Sequence, residues 1–216
     1  SFTAGPLIPA RALSPLGCLR TDQNYASEVQ GALRFGQFVD VSCSGADTGD
    51  MTSPQNVTPG PNPPQFDALT ADTTVVTLGI GGNDIGFSSI IENCVSLNPF
   101  ATPCRDRYVR NGVDELQQRI ADTAPDIAAT IQGIRARAPQ ARIYVVGYPA
   151  IVPDSGNGCW PSLPIAWNDV PYIRSTLLDY WREAKARLKD PVLAWRDIVE
   201  DPERSRVYKE ARGKGG

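Results

Sequence analysis

The chain has 216 residues, 41% of them hydrophobic, and a formal net charge of −3. That length suits one domain of ordinary size, or one domain with an appendage, and the charge leaves no overall footprint for nucleic acid or an anionic membrane. No apolar run approaches the roughly 20 residues of a membrane span, and Ser1-Phe2-Thr3-Ala4-Gly5 lacks the basic start and apolar stretch of a signal peptide.

The first 36 residues open with turn chemistry at Gly5-Pro6, Ile8-Pro9 and Ser14-Pro15-Leu16-Gly17, followed by a helical stretch around Tyr25–Leu33. Phe38-Val39-Asp40-Val41-Ser42 reads as a short strand. Residues 53–65, rich in proline and asparagine, read as a loop. The β-branched run from Thr73 to Leu78 predicts a second strand, which ends in Gly79-Ile80-Gly81-Gly82-Asn83-Asp84. A glycine-rich turn after a strand is where α/β sheets place ligands.

Over 113–138, Val113, Leu116, Ile120, Ile127, Ile131 and Ile134 recur at helical spacing. Pro125 is expected to kink or split that helix, and Pro139 to stop it. Ile143-Tyr144-Val145-Val146-Gly147 predicts another buried strand. Strand, helix, strand in that order implies a parallel sheet with a crossover. Asn56-Val57-Thr58 matches a glycosylation acceptor, whose use depends on the host.

The composition shifts near residue 171. Residues 171–216 hold 11 of the 21 Lys+Arg and 8 of the 24 Asp+Glu, so the tail is net positive and the body net negative. Leu177, Leu178, Trp181, Ala184 and Leu188 mark an amphipathic helix with Glu183 and Arg187 at i,i+4. Asp190-Pro191 and Asp201-Pro202 read as starts of short helices. A basic tail points only weakly to phosphate binding; a solvated charged helix is the simpler account.

The five cysteines are Cys18, Cys43, Cys94, Cys104 and Cys159. None forms a C-x-x-C pair, and the histidine count is zero, so a zinc site is not expected. The Cys94–Cys104 spacing around Asn98-Pro99 reads as a stapled loop, and Cys18 with Cys43 would tie the entry segment to the first strand. Each bridge is worth about 3 kcal/mol on the chain-entropy account. Such pairs favour an exported protein; the alternative is five unrelated buried thiols. Cys159 is left over.

Three segments belong together: Ser1-Phe2-Thr3-Ala4-Gly5-Pro6, Ser42-Cys43-Ser44-Gly45-Ala46 and Gly81-Gly82-Asn83-Asp84. With Gly147-Tyr148-Pro149-Ala150 and the stretch from Gly158-Cys159-Trp160-Pro161 to Trp167, the chain resembles the SGNH, or GDSL, hydrolases from Ser1 to about residue 172. The likeness is strongest to the secreted, disulfide-bonded lipases and esterases of actinobacteria. It implies an α/β, three-layer, flavodoxin-like SGNH hydrolase fold with a parallel sheet, an ester or lipid substrate and no cofactor. Neither nucleic-acid binding nor stable membrane insertion is expected, and the oligomeric state is left open.

The family's roles carry over residue by residue. Ser1 matches the nucleophile, which attacks the ester carbonyl and forms an acyl-enzyme. Gly45 matches the second-block glycine, whose backbone N–H donates to the oxyanion. Asn83 matches the third-block asparagine, whose amide is another donor; losing one such donor costs roughly 3–4 kcal/mol in the transition state. Asp84 is expected to order the turn rather than act as a base. Read singly, Ser1 is an arbitrary end, Gly45 a plain turn glycine and Asn83-Asp84 an Asx turn.

Against the family pattern, the Gly-Asp and first strand before the serine, the Asp-x-x-His block and a sixth cysteine to pair with Cys159 are all missing. These departures predict a domain over 1–170 truncated at both ends, with first and last strands absent. A central strand lost leaves buried groups unpaired at about 1–3 kcal/mol each, against net stabilities of only about 5–15 kcal/mol, so marginal folding is expected. The segment 171–216 resembles a piece of the catalytic subunit of respiratory nitrate reductases and reads as a foreign, charged helical tail without a cofactor ligand.

The reading is therefore a serine carboxylesterase or lipase, inactive or severely impaired because serine needs a neighbouring base. The alternative is a non-catalytic lipid- or acyl-binding module that kept the pocket. A third possibility, an N-terminal-nucleophile hydrolase using the Ser1 amine as base, explains Gly45 and Asn83 less well.

Overall fold

The computed structural model describes residues 2–6, 8, 15–33, 36–148 and 151–176. Two compact units are present. Among the described residues the first comprises those up to 81 and 129–148, the second 82–128 and 151–176.

In the first unit, α1 (Tyr25–Leu33) forms over the expected residues. Asn24 starts it: its side-chain oxygen accepts the Ser27 N–H at 2.9 Å and occupies a donor the helix cannot satisfy itself. The apolar runs become β1 (Val75–Leu78) and, at the far end of the chain segment, β4 (Arg142–Val145). They pair in parallel, Val75 opposite Arg142 and Leu78 opposite Val145. Among the described residues this parallel sheet has two strands. Leu78, Ile143 and Val145 are buried in it, with Ile80 just beyond.

Phe38–Ser42 does not form the expected strand. Phe38 and Val39 are exposed, so no apolar face holds the segment in a sheet. Asp40 instead closes a local turn, accepting the Ser42 N–H at 2.9 Å and the Asn24 amide at 2.6 Å. The loop over 53–65 is as expected and is pinned by reciprocal backbone bonds between Gln55 and Asn62. A 3-10 turn at Gln65–Ala68 then presents Phe66 to Gly133, where a methyl group would come within 2.5 Å of the ring.

The second unit holds α2 (Phe87–Cys94) and α3 (Pro103–Tyr108), which pack together, and a two-residue hairpin of β2 (Val109–Arg110) and β3 (Val113–Asp114). Both expected disulfides form: Cys94–Cys104 here and Cys18–Cys43 in the first unit. Cys159 is free and exposed.

The long helix, α4 (Glu115–Arg137), runs from the second unit into the first. Pro125 does not split it. Val113 lies in β3 and is exposed, so it is not part of the helical face; Leu116, Ile120, Ile127, Ile131 and Ile134 are all buried. Asp114 sets the start by accepting the Leu116 N–H at 2.9 Å and the Gln117 N–H at 3.3 Å. Among the described residues no helix is long and apolar enough to cross a membrane. The helices expected from Leu177 onward, and the rest of the proposed tail, lie outside the described residues.

Candidate active site

The chain following Ser1 makes a 3-10 turn, Phe2–Ala4, in which Thr3 and Ala4 are buried. Ser1 itself lies outside the described residues. The turn sits against the carboxyl end of the parallel strands. A methyl group on Gly79 would meet Thr3 Oγ1 at 2.5 Å, a Phe2 ring carbon at 3.3 Å and the Val146 carbonyl oxygen at 3.5 Å. Gly79 is thus the residue that lets the first block approach the sheet. The Phe2 ring is held between Tyr25, 5.9 Å between centroids, and Tyr148, 4.9 Å with an edge-on arrangement. Burial pushes the Tyr25 phenol above its ordinary pKa.

The second block is a turn at Ser44 and Gly45, closed by the Ala46 N–H donating to the Cys43 carbonyl at 3.3 Å. Gly45 adopts φ +78°, a conformation that L side chains rarely take, so glycine is required by the backbone itself. It is exposed, and its N–H belongs to a turn braced from behind. Gln55 donates to the Ser44 carbonyl at 2.9 Å, and Arg20 Nη1 donates to the Ser42 carbonyl at 2.9 Å.

A four-residue segment ties these two blocks together. The Thr21 N–H donates to the Ala4 carbonyl at 3.0 Å, while the Cys18 carbonyl accepts the Ser44 N–H at 2.9 Å, and Cys18 is bonded to Cys43. Three Cα–Cα steps bound the span from Cys18 to Thr21 to about 11 Å. The first and second blocks therefore share one scaffold.

The third block lies in the second unit. Asn83 and Asp84 are half-buried in a turn that closes through Gly86 N–H to the Asn83 carbonyl at 3.0 Å and Phe87 N–H to the Gly82 carbonyl at 2.9 Å. Asn83 stands five residues after the end of β1 and shortly before α2. Thr3, Gly79 and Gln55 are the supporting residues that sequence reasoning missed. Gly79 was visible as part of a glycine cluster, but nothing local to the sequence pairs it with Thr3. Among the described residues no cluster of histidine, cysteine or acidic side chains is arranged to hold a metal ion.

This is an α/β scaffold with glycine-marked turns following its parallel strands, and it is similar to solved lipases. Over 97% of this chain and 81% of the other, it superposes on the crystal structure of phospholipase A1 from Streptomyces albidoflavus NA297 with a TM-score of 0.70 at 21% identity. The extracellular lipase from Streptomyces rimosus aligns over 87% of this chain and 72% of its own, with a TM-score of 0.67 at 23% identity. The chain belongs to the GDSL-like Lipase/Acylhydrolase family, whose profile matches residues 1–213.

Lipase 2 of Streptomyces coelicolor is 38% identical over 188 residues, covering 81% of this chain. The chain spans 59% of that relative's length. A separate likeness, 46% identical over 80 residues, relates 32% of this chain to 6% of the nitrate reductase alpha subunit of Mycobacterium tuberculosis.

Proposed function

We propose that the chain carries the nucleophile and oxyanion parts of an exported serine acyl hydrolase acting on carboxylic esters or lipid acyl chains. Ser1 Oγ attacks the carbonyl carbon, its proton passes to solvent water or to an added base such as imidazole, and the oxyanion takes hydrogen bonds from the Gly45 N–H and the Asn83 amide. Collapse of the tetrahedral species expels the alcohol, and water then releases the acid from the acyl-serine. The observation that carries this reading is the turn after Ser1, seated on Gly79 at the end of β1 and tied through residues 18–21 to the Gly45 turn. The two disulfides fit export.

The chain contains no histidine. With no base, turnover falls by on the order of a millionfold in kcat, so the 216-residue polypeptide is expected to be nearly inert. The same fact favours one rival, an acyl-binding module without catalysis. Imidazole added to the p-nitrophenyl butyrate assay separates the two. An acyl hydrolase lacking only its base gains an imidazole-dependent rate above that of Ser1→Ala, and Asn83→Ala lowers the gain by about 10²–10³-fold. Equal imidazole-dependent rates in the chain and in Ser1→Ala would remove the catalytic reading.

A further inference from the structure

The loop between α2 and α3 exposes large apolar side chains on a rigid support. Leu97 is 90% exposed and Phe100 69%, with Val95 also exposed. Single exposed apolar residues are common on soluble proteins; here they are held out by an unusually complete set of ties. The loop is closed by Cys94–Cys104, whose Cα atoms are 4.4 Å apart. Ser96 N–H donates to the Pro164 carbonyl at 2.8 Å, Trp167 N–H to the Pro99 carbonyl at 2.7 Å, and the Asn168 amide to the Phe100 carbonyl at 2.7 Å. Trp160 Nε1 donates to the Ser96 carbonyl at 3.2 Å. Phe100 meets Trp167 edge-on at 5.1 Å, and Trp167 meets Trp160 edge-on at 6.2 Å. A loop so tied cannot fold its apolar tip inward, and a rigid tip loses little entropy on engaging a partner.

The same two helices line a cleft of about 580 Å³. Ser89 and Asn93 face it from α2, Arg107 and Tyr108 from α3, with Arg110 and Arg119 completing a cationic wall. Asn93 is the residue before the disulfide-bonded Cys94, so one cleft wall begins at the foot of the loop. The one carboxylate in the lining, Glu115, is engaged by Arg119 at 2.6 Å. Arg119 also donates to the Ile85 carbonyl at 3.1 Å and lies over the Tyr108 ring. Among the described residues Arg110 donates to a backbone carbonyl, that of Arg107, and no carboxylate pairs with either Arg107 or Arg110. The cleft therefore holds an excess of positive charge in a chain whose overall charge is negative.

We propose that the stapled loop and the arginine cleft beside it form a docking face for an anionic phospholipid surface. Leu97 and Phe100 enter the boundary between headgroups and acyl chains, Trp160 and Trp167 sit at interfacial depth, and Arg107 and Arg110 take lipid phosphates. Amphipathic aromatic rings favour that depth, apolar side chains gain by leaving water, and each arginine near an anionic surface adds attraction that salt screens. The face deepens the acyl-hydrolase reading by naming the surface on which the substrate is met, but it is measured by binding alone, so its failure would leave the catalytic question untouched.

The test is co-sedimentation of the full chain with vesicles of phosphatidylglycerol and phosphatidylcholine mixed about 1:3, and with phosphatidylcholine alone. Expected are binding to the mixed vesicles that weakens with added salt, and binding to phosphatidylcholine alone that is weaker by about tenfold or more. Leu97→Ser with Phe100→Ser should lower the partition coefficient by on the order of a hundredfold, and Arg107→Gln with Arg110→Gln by about thirtyfold. Arg107 and Arg110 are exposed, so thermal unfolding of the double glutamine variant should match the parent, while the double serine variant loses the Phe100–Trp167 ring contact and should unfold slightly earlier but remain folded at the assay temperature. Leu97→Trp is the positive control: it should keep binding and shift its fluorescence to the blue on mixed vesicles. No binding to mixed vesicles, equal binding to phosphatidylcholine alone, binding unchanged in the double serine variant, or no blue shift in the Leu97→Trp variant would each overturn the proposal.

Discussion

Asp169 reaches across 65 residues of sequence to cap α3, its carboxylate accepting the backbone N–H of Cys104 at 2.9 Å and of Arg105 at 3.1 Å. Thr102, the residue at the start of that helix, makes no side-chain cap of its own. Asp169 and Cys104 are both fully buried, so neither partner has water to fall back on.

Asp169→Ala leaves two helix donors without acceptors. The Cys104 N–H is buried and bears the full penalty of about 1–3 kcal/mol for an unsatisfied group, while the Arg105 N–H is only part-buried and costs less, so a loss of about 1–4 kcal/mol is expected, read as the shift of the urea midpoint. Asp169→Asn keeps one acceptor oxygen and should lose about half as much. Equal midpoints for the two variants would show that the carboxylate fills space and does not cap.

Gly79→Ala tests the seat of the first block. The new methyl group would meet Thr3 Oγ1, which belongs to a short side chain on a buried turn and has little room to withdraw. Overpacking of this kind costs about 1–3 kcal/mol. The double variant with Thr3→Ala should recover most of that loss, because it removes the atom in conflict. A double variant no more stable than Gly79→Ala would mean that the close approach is not what demands glycine.

The alkaline limb of stability should report on Tyr172. Burial, and then the hydrogen bond its hydroxyl donates to Asp114 at 2.9 Å, push the Tyr172 phenol well above the ordinary range. A raised folded pKa means that the fold favours the protonated phenol. Its contribution is complete below the ordinary phenol pKa of about 10 and is lost as pH rises beyond it, when the unfolded chain ionises first. Melting temperature should therefore fall between about pH 10 and 12, and Tyr172→Phe should flatten that fall. The variant starts lower at neutral pH by about 1.5–3 kcal/mol, the worth of a hydrogen bond to a charged group. Asp114 keeps its bonds to the start of α4 in the variant. A pH profile parallel to the parent's would assign the alkaline loss to other groups.

The elements that rest on local pattern were legible in the amino-acid order. The helix at Tyr25–Leu33, the strand ending at Leu78, the strand read at Ile143–Gly147 and found at Arg142–Val145, the buried stripe from Leu116 to Ile134 and the parallel crossover follow from apolar runs and helical spacing in the sequence, because helical and strand repeats place apolar groups on one face wherever the chain goes. The two disulfides were legible from spacing, and the family from three ordered blocks. Phe38–Ser42 failed as a strand because a β-branched and aromatic run needs a buried face, and whether one exists is not a local property. Val113 continued the helical spacing by coincidence, since Asp114 caps the helix after it. That Gly79 receives Thr3, that Cys18–Thr21 joins the first block to the second, that Asp169 caps α3, and that Arg107, Arg110 and Arg119 share one cleft became visible in the folded chain alone. Those pairings join residues that no local repeat relates, and their physical content is distance and burial, which no periodicity encodes.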